Sequence, residues 1–186
     1  TATGRTIEIG GYRPVGQLTN SPIASLYRAV AIDSSRPVAL RAGRASLADS
    51  TDPAALDRMV TSARTIATIR HPNIVPVLGA GIDGAWHSVA TSWVQKSLAE
   101  ALSKSDPVTI REAATFALSI AQGLAAAHGS GVIHSALTPR NILISEREIP
   151  QIVDFGGMAL SAPESRADYL SPEHARGQNP RPPSHL

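Results

Sequence analysis

With 186 residues, 42% of them apolar and 17% charged, the chain is long enough to enclose a core and too apolar for wholesale disorder. A net charge of +2 with dispersed arginines excludes a nucleic-acid footprint, and zero cysteines exclude disulfides and thiolate-bound zinc while fitting a reducing cytosol. No run approaches the roughly 18 apolar residues of a membrane-spanning helix, so no direct membrane contact is expected of these residues.

In chain order, residues 1–11 read as an extension. Tyr12–Leu18, Ala24–Ile32 and Val38–Arg41 then read as three β-prone runs separated by turn signals at Asn20-Ser21-Pro22 and Asp33-Ser34-Ser35-Arg36-Pro37. From Pro53 to Ile69 the residues Leu56, Met59, Val60, Ala63, Ile66 and Ala67 recur near helical period, with Asp52 as N-cap and Pro53 at the first position. Val75–Leu78 and His87–Val94 predict two more strands around a turn at Gly81-Ile82-Asp83-Gly84. Past Ser97 the pattern turns helical. Thr109 and Glu112 form a capping-box signature, and Ala113, Ala114, Ala117, Leu118, Ala121, Leu124 and Ala125 predict one apolar face, stopped at Gly129-Ser130-Gly131. Residues 178–186 are Pro-rich and read as a tail or linker.

Two short motifs carry chemistry. Residues 134–141 read His134-Ser135-Ala136-Leu137-Thr138-Pro139-Arg140-Asn141, and Asp154-Phe155-Gly156 follows at a fixed remove. Together they resemble the catalytic loop and the metal-binding D-F-G of the protein kinase family. His71-Pro72-Asn73-Ile74-Val75, Val38-Ala39-Leu40-Arg41 and Ser171-Pro172-Glu173-His174-Ala175-Arg176-Gly177 resemble three further motifs of bacterial Ser/Thr kinases, in order. The resemblance implies an α+β, bilobal kinase-like fold. A five-stranded small lobe with one helix would span residues 12–94, and a partial, mainly helical large lobe residues 95–177.

The resemblance also shows what this chain lacks. The glycine positions of the phosphate-covering loop hold Thr19, Ser21 and Ala24, with Pro22 removing a backbone donor. Arg41 stands where the family has its phosphate-pairing lysine, and the chain's two lysines, Lys96 and Lys104, lie too late to replace it. The helix glutamate that holds this lysine falls at Ser62; the nearest acid, Asp57, lies roughly 140° around the helix. Arg41 is therefore expected to face solvent or to pair elsewhere. Ala136 replaces the catalytic base, Thr138 the γ-phosphate lysine, and Arg166 the threonine of the substrate-side motif. Asn141 and Asp154 survive at the two magnesium-ligand positions and read as vestigial. Leu26, Ala39 and Leu143 match the adenine sandwich, and His134, Phe155, Ile66 and Val77 match an apolar column between lobes.

Losses at Arg41, Ser62, Ala136 and Thr138 imply a catalytically inactive kinase-like domain with no catalytic residues, no resident metal, and ATP and Mg²⁺ bound at most weakly. Residues 12–177 are most similar to the cytoplasmic pseudokinase region of mycobacterial MviN-type peptidoglycan-precursor flippases. That likeness implies a scaffold in cell-wall regulation, phosphorylated by a separate Ser/Thr kinase to recruit an FHA-domain partner. It also implies a cytoplasmic setting, as the inner domain of a membrane protein. The alternative is a weak, atypical ATP-dependent phosphotransferase or a non-catalytic nucleotide sensor using Asp154, Asn141 and Arg41.

Overall fold

The structure is a computed structural model, which describes residues 7–20, 24–44, 53–104 and 108–156, with residues 168, 169, 172 and 176. Five antiparallel strands come first: β1 (Tyr12–Thr19), β2 (Ser25–Ala31), β3 (Pro37–Arg44), β4 (Val77–Asp83) and β5 (Trp86–Ser92). Their order in the sheet is β1-β2-β3-β5-β4, and helix α1 (Pro53–Ala67) lies between β3 and β4 in sequence. Two clusters form the core of this half. Val38, Leu40, Ala29 and Ala90 close one face of the sheet. Leu56, Met59 and Val60 of α1 close the other against Ala24 and Val89.

The second half carries β6 (Lys96–Ser97), α2 (Leu98–Lys104), α3 (Ile110–Gly129), a 3₁₀ turn (Pro139–Asn141), β7 (Ile142–Ile144) and β8 (Pro150–Ile152), with β6, β7 and β8 in one small sheet. Thr109 caps α3 with both halves of its capping box present, and these bonds hold the Glu112 carboxyl below its usual range. A buried side-chain bond from Asn73 Nδ2 to the Pro150 carbonyl, at 2.9 Å, ties the loop after α1 to β8. This is the α+β architecture expected from the sequence.

Several boundaries and one face differ from expectation. Strand β3 runs on to Arg44 because Ala42, Gly43 and Arg44 keep pairing with Ser88, His87 and Trp86. Val75 leaves β4, since its amide bonds the Ile152 carbonyl, and the β4–β5 turn shrinks to Gly84-Ala85, where Gly84 takes φ +55°. Helix α3 buries a different stripe from the predicted one. Gly123 and Ala127 are buried and Phe116, Ile120 and Leu124 half-buried, whereas Ala113, Ala114, Ala117, Leu118, Ala121 and Ala125 are exposed. An alanine-rich helix satisfies the 3.6-residue period on more than one side, and the bulkier Phe116 and Ile120 decide which side packs. Asp52, Ser21, Pro22, Arg166, Glu173 and the tail, for which the sequence sets expectations, lie outside the described residues.

Candidate active site

A cleft of about 1020 Å³ opens between the five-stranded sheet and the helical half. Its upper wall is Leu26 of β2 and Ala39 of β3, its lower wall Leu143 of β7, and its back wall Met59 and Ala63 of α1 with Val75. Alternation along β2 and β3 aims Leu26 and Ala39 at the cleft, while Ala29, Val38 and Leu40 enter the core. The predicted sandwich residues therefore meet in one slot. Sequence reading missed Trp93, Val94 and Gln95, which line the connection between halves, and Arg140 at the mouth. Arg140 lay in a variable position of the motif, so no pattern marked it.

Arg41 and Asp154 meet at the inner end of this cleft. The Arg41 guanidinium places Nη2 at 2.9 Å from Asp154 Oδ2, with side chains 22% and 13% exposed. Arg41 is thus neither solvent-facing nor paired to the helix. The reason lies at position 62. A Cβ built on Gly156 would sit 2.8 Å from Ser62 Cβ, so the backbone after Asp154 packs directly on α1 where a glutamate would need room. With no acid there, the longer arginine reaches the aspartate itself.

Backbone contacts fix Asp154. The Val153 amide donates to the Asn141 carbonyl at 3.0 Å, and the Val153 carbonyl accepts from His134 Nε2 at 2.8 Å. The Ala136 amide donates to His134 Nδ1 at 3.3 Å, so the two bonds together fix a neutral imidazole with its proton on Nε2. Burial holds the imidazole below its ordinary range, against the opposing pull of the Val153 bond and the Asp154 charge. The His134 ring also meets Phe155 in a tilted contact, centroids 4.9 Å apart, and Phe155 packs with Ile66 and Val77 in the central cluster. Asp154 itself takes φ +71° and Ser135 φ +62°, two left-handed non-glycine residues at the two ends of this network. Backbone of that kind costs about 1–3 kcal/mol per residue and persists only where neighbours hold it.

The catalytic-loop backbone keeps its form without its base. Ala136 is buried, and its carbonyl accepts from Asn141 Nδ2 at 2.8 Å. Thr138 is buried as well, and with Arg140 and Asn141 it lines the cleft. A methyl group at position 136 accepts no proton. Of the remaining polar groups, Arg41, Arg140 and Asn141 suit a polyphosphate end-on to the apolar slot, and Asp154 holds Arg41 there.

A family model described as Protein kinase domain matches residues 12–181. The chain belongs to the protein kinase family. Serine/threonine-protein kinase PknL of Mycobacterium bovis is 30% identical over 183 residues, covering 93% of this chain and 45% of that protein. Serine/threonine-protein kinase PrkC of Bacillus subtilis is 28% identical over 178 residues, covering 90% of this chain and 27% of its own length. The chain spans less than half the length of these relatives. In fold, it superposes on the Mycobacterium tuberculosis PknI kinase domain with a TM-score of 0.73 at 21% identity, covering 96% of this chain and 68% of that one.

This kinship overturns the expectation of a non-enzymatic scaffold that recruits an FHA-type reader. The matched relatives are named as kinases, and the family works with ATP and Mg²⁺. The inactive reading gave each lost side chain its full weight; of the two expectations for Arg41, solvent or a partner off the helix, the structure shows the second, with Asp154 as the partner. The apolar slot would take a nucleotide base, and a cation at Asp154 would have to share or displace the bond that Oδ2 already accepts from Arg41 Nη2 at 2.9 Å. No helix among the described residues is long and apolar enough to cross a membrane.

Proposed function

We propose that the chain is a slow, atypical ATP-dependent phosphotransferase acting on a protein hydroxyl. The observation that carries this reading is the Arg41–Asp154 ion pair, seated inside a slot walled by Leu26, Ala39 and Leu143. Adenine enters the apolar slot, and the phosphates run toward Arg41, with Arg140 at the outer end. Transfer breaks the bond between the γ-phosphorus and the β–γ bridging oxygen and forms one to the acceptor oxygen, leaving ADP. The acceptor proton passes to a γ-phosphate oxygen, because residue 136 is alanine. Losing a general base costs about 10²–10⁴ in rate, so kinase turnover of about 1–100 per second falls to about 10⁻⁴ to 1 per second.

Binding comes first and is tested first. Saturating ATP should raise the melting temperature of the purified chain, since a ligand that binds only the native state stabilises it by mass action. An unchanged melting curve at millimolar ATP would remove the proposal. On the resemblance alone, we also propose that the domain lies on the cytoplasmic side of a membrane protein. Fractionation of cells with an antibody to this chain tests that setting, and recovery only in the soluble fraction would reject it.

A further inference from the structure

We infer that this site holds the nucleotide polyphosphate through Arg41 without a divalent cation. The inference rests on the nucleotide-binding reading above and departs from it in assigning the counter-charge. Arg41 is a planar fork with five donors; only Nη2 is placed on Asp154, which leaves other N–H groups for phosphate oxygens. The aspartate pins the fork in the cleft, so little rotamer freedom is lost when a phosphate arrives. Nothing on α1 draws it away, because position 62 is a serine pressed against Gly156.

One metal donor is already engaged. Asp154 Oδ2 accepts from the guanidinium, while Asn141 spends only its Nδ2 on the Ala136 carbonyl and keeps Oδ1 free. A magnesium ion, which needs near-octahedral oxygen donors, would have to displace Arg41 or share the carboxylate with it. In this reading the remaining guanidinium N–H groups, and not a cation, are what the site offers the phosphate oxygens.

Calorimetric titration of the intact chain decides this, with three probes: ATP in EDTA, ATP with excess Mg²⁺, and Mg²⁺ alone. ATP in EDTA should bind within about threefold of ATP with Mg²⁺, and Mg²⁺ alone should give no saturable heat. Arg41→Lys, whose compact ammonium reaches less far and frees Asp154, should make ATP affinity depend on Mg²⁺ by about tenfold or more. If wild-type protein needs Mg²⁺ by that factor, or if Arg41→Lys matches wild type, the inference is wrong while nucleotide binding stands. If folded wild-type protein binds ATP in neither buffer, the nucleotide reading falls with it.

Discussion

Position 136 is the point where single residues bear most on chemistry. Its amide and carbonyl stay in the network of His134 and Asn141, so only the side-chain function is gone. Ala136→Asp should raise phosphate transfer by about 10²-fold, the low end of a base's contribution because Thr138 leaves the γ-phosphate without its lysine. A rate unchanged by the substitution would mean that chemistry is not limiting. His134 gives a second residue-scale prediction. Its folded pKa lies below the ordinary value of 6.5, so as pH falls the unfolded chain takes up this proton first. Stability is fully present above about pH 6.5 and declines from there toward the lower folded value. Urea unfolding between pH 5 and 7.5 should show that slope, and His134→Gln should flatten it despite lowering stability overall. An identical slope in the variant would assign the effect to other histidines. At this scale the sequence was informative wherever a motif fixes a position: Ser62, Ala136 and Thr138 stand where spacing puts them. The pairing of Arg41 with Asp154 was not legible, because it joins distant segments and depends on how closely Gly156 approaches α1.

At the scale of elements, the loop after α1 is the joint that locks the small sheet to α3. Gly123 faces the Asn73 backbone so closely that a Cβ would lie 2.8 Å from its carbonyl oxygen and 3.1 Å from Ile152 Cδ1. Gly123→Ala should therefore lower stability by about 1–3 kcal/mol through overpacking, despite alanine's better helix propensity. Asn73→Ala, which strands the buried Pro150 carbonyl, should cost about 1–3 kcal/mol, and the double variant should cost less than the sum. Chemical denaturation of the three variants measures both; a stabilised Gly123→Ala would refute the close contact. The strands and α1 were readable from turn signals and β-prone composition and, in α1, from the helical period of Leu56, Met59, Val60, Ala63 and Ile66. Helix α3 was misread because alanine marks a core and a surface alike. Only contact with Asn73, Ile152 and Phe155 picks out the stripe of Ile120, Gly123, Leu124 and Ala127.

For the whole molecule, the order of five strands, one helix and a helical half with a small sheet was legible, since it needs only element types and the order of motifs. The cleft was legible in part. Its apolar walls follow from strand alternation, but its charged end required three-dimensional proximity. The outer side of α3 remains apolar and exposed, with Ile110 91% and Leu118 61% accessible. A strip of that kind makes the isolated chain prone to association. Leu118→Glu should raise its solubility limit without shifting its melting temperature appreciably, as read by light scattering and calorimetry. The central claim is that the cleft uses ATP through Arg41 and Asp154. Single-turnover transfer from γ-labelled ATP to a Ser/Thr acceptor protein tests it most directly. The account predicts slow, time-dependent labelling that disappears in both Asp154→Ala and Arg41→Ala; labelling absent from wild type, or equal in all three proteins, would contradict it.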